Sequence, residues 1–226
     1  MVSYEIHYFA AISRGDLPRM LLEVGGASYK NVFIELADWK AGIKETKPFG
    51  MVPQLVIVEA DGTRKELCET SAIDAYLAEV LGLMPGPTCF ERSEALSVLS
   101  AFYELQTKVS VALYDIPTIE GRNAAHEKYI AETIPTYLKY QERFVRGEYF
   151  FGDKLTVADM KLYEMHLWFE DMYGGKNPLR TRAAEFPKLN RIIDTLSSGK
   201  AGDYAKHRRD FGRYKWSVEQ WKWIFN

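Results

Sequence analysis

Cysteine is scarce in this sequence: Cys68 and Cys89 are the only two among 226 residues. Two thiols at this irregular spacing are too few for the disulfide framework of a small secreted domain or for a zinc site. We therefore expect a reducing compartment, which points to a cytoplasmic protein, and no metal ion.

Long apolar segments are also missing. No run reaches the roughly 18 residues that a membrane-spanning helix needs. Residues 1–5 lack the basic and apolar regions of a secretory signal. We expect a complete cytosolic protein without a membrane partner.

Neither sign of charge is in excess, since 29 basic residues stand against 31 acidic ones and the net charge is −2. This balance gives no electrostatic reason to bind nucleic acid. We expect the densest basic patch, residues 206–209, to be a solvated surface. Apolar side chains are plentiful: 47% of the residues are hydrophobic and 14% aromatic, which suits one large or two small domains.

The most informative stretch is residues 48–81. Within it, residues 54–58 form an apolar run that is typical of a buried strand. Asp61-Gly62 is a strong two-residue turn signal, and residues 64–67 follow it as the returning strand. The stretch therefore predicts a hairpin.

A proline opens this hairpin and a helix follows it. Pro53 has no N–H to donate to a neighbouring strand, so it belongs at the first position of its strand, where a cis bond to Val52 is possible. After the hairpin, Thr70 or Ser71 can cap a helix, which Gly82 ends. The apolar stripe of this helix consists of Ile73, Leu77, Val80 and Leu81.

The start of this helix suits a ligand with charged ends. An α-carboxylate placed there would meet unpaired N–H groups and the positive end of the helix dipole, and Thr70 would add a hydroxyl donor. Glu69 could hold an ammonium group. The simpler alternative is that Thr70 only caps the helix and Glu69 only favours its first turn.

The residues before this stretch predict a strand, a helix and a second strand. Residues 4–9 alternate as a strand does, and Asp16 is a candidate N-cap for a helix that ends at Gly25-Gly26. Residues 31–35 supply the second strand, which a right-handed crossover would make parallel to the first. Strand, helix, strand, loop, hairpin and helix is the order of a thioredoxin-like α/β domain, for which we predict residues 1–82.

The rest of the chain is predicted to be helical. Proline and glycine in residues 83–90 indicate a linker, and we assign residues 91–226 to an all-α domain. Long helices should cover about residues 90–114 and 123–145, with Pro135 kinking or dividing the second.

Thr156, followed three residues later by Asp159, is a capping box at the start of a further helix. We expect Asp159 to be buried, bonded to backbone N–H groups, and structural rather than catalytic. One more helix should begin at residues 185–189 and end near Ser198. The aromatic tail, residues 210–226, should pack on the helical domain or line a hydrophobic pocket.

The pattern Val52-Pro53-Gln54-Leu55, followed after the hairpin by Glu69-Thr70-Ser71-Ala72-Ile73, resembles the glutathione-binding motif of cytosolic glutathione transferases. The resemblance implies their fold: an α/β thioredoxin-like N-terminal domain followed by an all-α C-terminal domain. It also implies their co-substrate, glutathione.

The same resemblance implies how glutathione would be held. Val52, next to Met51 and exposed by a cis Pro53, would offer its backbone N–H and C=O to the cysteinyl unit. Glu69 and Thr70 would hold the γ-glutamyl end.

A second set of residues is similar to the sigma-type transferases, the group that includes glutathione-dependent prostaglandin D synthase. The set is Tyr8-Phe9, Arg14, Arg19, Trp39 and Lys44. It implies that the Tyr8 hydroxyl activates the thiol, with Arg14 as its electrostatic neighbour, and that Trp39 and Lys44 contact the glycyl carboxylate. In the homodimer of this family, Glu104 of the other subunit would approach the γ-glutamyl ammonium.

These roles predict a glutathione transferase that conjugates small hydrophobic electrophiles. A free thiol with a pKa near 8.5 is only a few per cent thiolate at pH 7, and the thiolate is the nucleophile. Lowering the pKa by about two units requires roughly 2.7 kcal/mol, and one charge-assisted hydrogen bond from a phenol supplies much of it.

Several alternatives stay open. Tyr8 could be a core strand residue, Arg14 a surface charge, and Ser13 the hydroxyl that meets the sulfur, as in other transferase classes. The chain could also be a glutathione-dependent isomerase or peroxidase, or a non-catalytic binding or structural member, as lens crystallins are. A glutaredoxin-like oxidoreductase is disfavoured because no cysteine lies in the loop after the first strand, and Cys68 is expected to be buried.

Overall fold

The computed structural model describes residues 1–11 and 13–211, with the backbone alone at residues 112–114, 210 and 211. The predicted roles of the aromatic side chains after Asp210 therefore lie outside the described residues. By their contacts, the described residues form two compact units. The first contains Met1–Leu83 and the segment that begins at Lys200, and the second contains Met84–Gly199.

The first unit is built on a four-stranded sheet. Its strands are β1 (Ser3–Phe9), β2 (Tyr29–Ile34), β3 (Gln54–Val58) and β4 (Arg64–Cys68), in the order β2-β1-β3-β4. β1 pairs parallel with β2 and antiparallel with β3, and β3 pairs antiparallel with β4. The predicted strand pairing and hairpin are confirmed. In the hairpin turn Gly62 has a φ of 87°, a conformation that glycine adopts without steric cost.

Two helices supply the other half of this core. Helix α1 (Asp16–Val24) packs against α3 (Thr70–Val80), and the short helix α2 (Leu36–Lys40) lies in the connection between β2 and β3. Spacing of three and four residues gives each long helix one apolar face. The fully buried apolar residues of this unit include Ile6, Leu17, Met20, Leu21, Leu55, Ile73 and Leu77.

Two predicted helix caps in the first unit are wrong. α1 begins at Asp16 after Gly15 without a side-chain cap, because the Asp16 carboxylate is bonded to the C-terminal segment instead. α3 begins at Thr70 after Glu69, again with no side chain capping it. Val80, predicted on the apolar stripe of α3, is 49% exposed.

The first unit also takes in helix α10 (Lys200–His207), which packs on α1. The predicted domain bounds assign this helix to the C-terminal domain, whereas its contacts group it with Met1–Leu83. Within the basic patch 206–209, Arg208 is only 2% exposed. The expected solvated surface is wrong at this residue, because its guanidinium pairs with the buried carboxylate of Asp16.

The second unit is helical, as predicted. Its helices are α4 (Cys89–Tyr114), α5 (Ile119–Lys128), α6 (Ile134–Phe144), α7 (Val157–Tyr173), α8 (Pro178–Thr181) and α9 (Pro187–Ser197). α7 packs against α4 and α9, and its residues 157–166 are all buried. Two of these buried residues have opposite charges and form an ion pair, in which Lys161 Nζ lies 2.8 Å from Glu164 Oε2.

Pro135 divides the second long helix, as predicted. A π-helical turn, Tyr129–Thr133, separates α5 from α6. Pro135 has no N–H to donate to the carbonyl of Ala131, four residues earlier. The Arg182 guanidinium donates to this carbonyl instead, at 3.2 Å. The interruption therefore has a local cause and a side-chain partner from another part of the unit.

Candidate functional site

Three predicted site residues follow one another across the end of the sheet. The last pair between β1 and β3 joins His7 to Gln54, and the last pair between β3 and β4 joins Gln54 to Cys68. The residues that come next at this end of the three strands are Tyr8, Pro53 and Glu69. Strand pairing alone thus brings them to the same edge of the first unit. The Val52–Pro53 peptide bond is cis, as the resemblance implies.

Tyr8 sits in a tight setting at this edge. Its side chain is 7% exposed, and its ring centroid lies 5.7 Å from that of Phe9. A Cβ built on Gly15 would come within 2.5 Å of Tyr8 Cδ1. Real Cβ atoms do not approach so closely, so glycine at position 15 is what allows the α1 start to reach the Tyr8 ring.

Two arginines near the start of α1 have very different settings. Arg19 is fully buried, and its guanidinium carbon lies 5.7 Å from the centroid of the Tyr8 ring. Its Nε donates to Asn31 Oδ1 at 2.7 Å. Arg14, which the sequence pattern assigns to the electrostatic role, is exposed. Its role beside the sulfur stays a prediction, while the buried position of Arg19 was missed because side-chain burial in α1 depends on tertiary contacts.

Ser13, the alternative hydroxyl, is half-buried in the loop before α1. Its backbone carbonyl accepts a hydrogen bond from the Asp16 N–H at 2.8 Å. The choice between Ser13 and Tyr8 stays open on these contacts.

The predicted contacts to the glycyl carboxylate lie between β2 and β3. Trp39, in α2, is half-buried and meets the ring of Phe9 edge-on, with centroids 5.3 Å apart. Phe9 therefore links the rings of Tyr8 and Trp39. Lys44 is exposed, and its Nζ lies 3.7 Å from Glu45 Oε1, a distance too long for a strong hydrogen bond. Its ammonium group is thus accessible to an anion.

The start of α3 combines a buried hydroxyl residue with an exposed acid. Thr70 is 7% exposed, whereas Glu69 is exposed and has a φ of 69° and a ψ of 122°. No side chain of the described residues caps this helix end. Helix N-termini of this kind attract anions through unpaired N–H groups and the helix dipole. On the other side of the cis peptide, Met51 is exposed and Val52 half-buried.

Glu104 belongs to the second unit, in α4. Its carboxylate accepts a hydrogen bond from Tyr137 Oη at 2.8 Å and lies 3.1 Å from Lys108 Nζ. The bond from Tyr137, followed by the one from Lys108, holds the pKa of Glu104 below its usual range. Its predicted approach to glutathione in a partner subunit stays a prediction.

Cys68 ends β4 at the same edge of the sheet and is buried, as expected. Burial raises the pKa of its thiol. Since the thiolate is the reactive form, this cysteine is poorly suited to disulfide chemistry. Its strand neighbour Gln54 is held by Lys47 Nζ at 2.8 Å and donates to Glu66 at 2.7 Å, contacts that no sequence pattern indicated.

Among the described residues, no group of His, Cys, Asp and Glu could hold a metal ion. Within the same part of the chain, every helix is too short or too polar to cross a membrane.

Comparison with known proteins bears on both units. Residues 103–201 match the family model of the glutathione S-transferase C-terminal domain. S-crystallin 2 of Enteroctopus dofleini is 28% identical over 218 residues, which cover 88% of this chain and 99% of that protein. Probable glutathione S-transferase 8 of Caenorhabditis elegans is 27% identical over 167 residues, covering 71% of this chain and 77% of that one.

Solved structures share the fold. The sigma class glutathione transferase of Fasciola hepatica superimposes with a TM-score of 0.76 at 22% identity, covering 92% of this chain and 97% of that chain. A mixed four-stranded α/β unit followed by a helical unit is thus the glutathione transferase fold. The C-terminal domain match and these relatives therefore make the chain similar to glutathione S-transferases in sequence as well as in fold. The predicted resemblance is confirmed.

Proposed function

We propose that this protein is a glutathione transferase in which the Tyr8 hydroxyl stabilises the glutathione thiolate for attack on a small hydrophobic electrophile. The observation that carries the proposal is the succession of Tyr8, Pro53 and Glu69 at one end of the sheet, which follows from the register of β1, β3 and β4. One tripeptide lying along this edge would meet all three.

Each part of glutathione has a partner of suitable chemistry. The cysteinyl unit would pair with the backbone of Val52, next to Met51, as an added strand does. The γ-glutamyl carboxylate would take the uncapped N–H groups of α3 and the Thr70 hydroxyl, and Glu69 would hold the ammonium group. At the other end, the exposed Lys44 and the indole N–H of Trp39 would bind the glycyl carboxylate.

Catalysis would come from the ionisation of the thiol. A phenol that donates to sulfur stabilises the thiolate more than the thiol, and nearby guanidinium groups add to the effect. Arg14 stays a candidate for that electrostatic role, and Arg19 is the guanidinium packed on the Tyr8 ring. The thiolate then forms a bond to the electrophilic carbon, and a leaving group such as chloride departs with its electron pair.

The remaining parts of the proposal come from the family. We expect a homodimer in which Glu104 of the other subunit lies near the γ-glutamyl ammonium, and a cytoplasmic location. The apolar second substrate is defined only by class, as a small hydrophobic electrophile.

The test compares two tyrosines of β1. Tyr8→Phe removes the proposed hydroxyl, and Tyr4→Phe is the matched control, since Tyr4 is 8% exposed in the same strand. With 1-chloro-2,4-dinitrobenzene as substrate, Tyr8→Phe should lower kcat/KM at neutral pH by about tenfold to 100-fold, the effect of a one- to two-unit rise in the thiol pKa. Tyr4→Phe should retain activity. An unchanged rate in Tyr8→Phe with a large loss in Ser13→Ala would transfer the role to Ser13.

A second candidate function is a non-catalytic, structural member of the family. The observation that favours it is the similarity to S-crystallin 2 over 88% of this chain. Retention on immobilised glutathione together with turnover supports the transferase. Retention without turnover of halide, peroxide or isomerisable substrates supports the structural member. Turnover of peroxides alone would identify a peroxidase, and isomerisation alone would identify an isomerase.

A further inference from the structure

The carboxylate of Asp16 is held by the far end of the chain. Asp16 is 2% exposed at the start of α1. Its Oδ1 accepts a hydrogen bond from Tyr204 Oη at 2.8 Å, and its Oδ2 accepts one from Arg208 Nη1 at 2.7 Å. Both oxygens of this buried carboxylate are therefore fixed by α10 and the residue that follows it.

The same carboxylate reaches Arg19, one turn further along α1. Arg19 Nη1 lies 3.5 Å from Asp16 Oδ1, and the Arg19 side chain is fully buried. Its guanidinium carbon is 5.7 Å from the ring centroids of both Tyr8 and Phe33, which face each other in β1 and β2. Contacts thus run without a break from α10 through Asp16 and Arg19 to the Tyr8 ring.

We propose that Tyr204 and Arg208 are positioning residues for Tyr8, acting through Asp16 and Arg19. The proposal rests on the proposed function, in which Tyr8 meets the sulfur. A guanidinium has its five donors in a rigid plane, so fixing the carboxylate on one side fixes the orientation of that plane. The plane in turn supports the Tyr8 ring, against which Gly15 also packs.

This arrangement does more than fill space between α1 and α10. A buried ion pair contributes little net stability, because desolvation of the charges offsets their attraction. What it supplies is a defined geometry. Removing one partner changes the balance of contacts on the Asp16 carboxylate, and the Arg19 guanidinium then shifts relative to the ring it supports.

The main variant is Tyr204→Phe, which removes one oxygen and keeps the buried ring. Arg208→Lys is the second, since it keeps the charge and loses the planar guanidinium. His207→Gln is the matched control: His207 Nε2 bonds to Glu23 Oε1 at 3.1 Å, so it joins α10 to α1 through a different carboxylate.

Two measurements report on the position of Tyr8 and on its effect on the thiol. The first is the fluorine NMR signal of Tyr8 in protein labelled with 3-fluorotyrosine, assigned by its absence in Tyr8→Phe. The second is the pH midpoint of thiolate formation by bound glutathione, followed by ultraviolet absorbance. We expect Tyr204→Phe and Arg208→Lys to shift or broaden the fluorine signal, and to raise the midpoint by about half a unit, which is about threefold in thiolate at neutral pH. The KM for glutathione should stay unchanged, and His207→Gln should move neither readout.

The outcome that overturns the proposal is a Tyr8 fluorine signal that responds no more to Tyr204→Phe and Arg208→Lys than to His207→Gln. The fluorine measurement needs no substrate. If the wild-type protein turned over no electrophile, the proposed function would fail, while the fluorine signal would still decide whether α10 positions Tyr8.

Discussion

Helices α3 and α7 begin with similar residues and use them differently. Each has a threonine at its start and an acidic residue close by. At α7 the Thr156 N–H and hydroxyl donate to Asp159 Oδ2 at 2.8 and 2.7 Å, and Asp159 is fully buried. At α3 no described side chain caps the helix, and Glu69 is exposed just before Thr70.

The difference lies in the order of the two residues. An acid three positions after the threonine reaches back to the backbone N–H and hydroxyl of that N-cap residue and closes the helix end. An acid one position before it cannot do so, and the N–H groups stay available to another anion. The α7 arrangement therefore stabilises the fold, whereas the α3 arrangement suits a ligand. The following predictions test this contrast, from the largest expected effect to the smallest.

Asp159→Ala should lower the free energy of unfolding by about 4 kcal/mol, because it leaves several buried donors without an acceptor. Besides the Thr156 groups, these include the Phe150 N–H, which donates to Asp159 Oδ1 at 2.8 Å. Urea denaturation measures the loss. Thr70→Ala is the matched control and should cost less than about 1 kcal/mol, since Thr70 caps nothing. Equal losses in the two variants would contradict the contrast.

Burial raises the pKa of Asp159 to about 6, against the opposing hydrogen bonds from Phe150 and Thr156. In the unfolded chain the pKa is near 4, so the folded state binds the proton more tightly. The contribution of this group to stability is then complete below about pH 4 and is lost as the pH rises through 6. Relative to Asp159→Asn, the wild-type unfolding free energy should fall by roughly 2 to 3 kcal/mol between pH 4 and pH 7. A rise over this interval in urea titrations would mean that the hydrogen bonds outweigh burial.

Thr70→Val keeps the shape of the side chain and removes its hydroxyl. Glutathione affinity, measured by calorimetry, should fall about tenfold, or about 1.4 kcal/mol, with little change in stability. Ser71→Ala is the control, because Ser71 is exposed in the same turn. Similar affinity losses in both variants would show that the effect belongs to the helix end as a whole.

Glu69 has a backbone conformation that glycine adopts far more easily, with a φ of 69°. Glu69→Gly should therefore raise the free energy of unfolding by about 1 kcal/mol through relief of strain, while it weakens glutathione binding. Glu69→Gln should weaken glutathione binding without raising the free energy of unfolding, since it removes only the charge. A Glu69→Gly protein that is less stable in urea would show that the conformation is not strained.

Short sequence patterns predicted the features that depend only on neighbouring residues. Asp61-Gly62 defines its hairpin, Pro135 interrupts its helix, and Thr156 with Asp159 closes α7, each within a few residues. The end of the sheet was also predictable, because strand order and register bring Tyr8 and Pro53 to one edge. The helix starts at Asp16 and Glu69 were harder, since a side chain that could cap a helix has other partners in the folded protein.

Long-range partners could not be predicted. Nothing near Asp16 in the sequence indicates that its carboxylate accepts hydrogen bonds from Tyr204 and Arg208. Nothing near Arg208 indicates that this basic residue is buried. The same holds for Arg19 under the Tyr8 ring. Such contacts depend on where the last described helix packs, which composition and periodicity do not encode.

The grouping of α10 with Met1–Leu83 also bears on how the molecule is made. The sheet and α1 emerge from the ribosome long before Tyr204 and Arg208 are translated. During that interval Asp16 has neither of its two closest partners, and the first unit is incomplete. It can reach its final form only after the helical unit has been synthesised, so a nascent chain stalled before position 200 would lack the two hydrogen bonds that Tyr204 and Arg208 donate to Asp16.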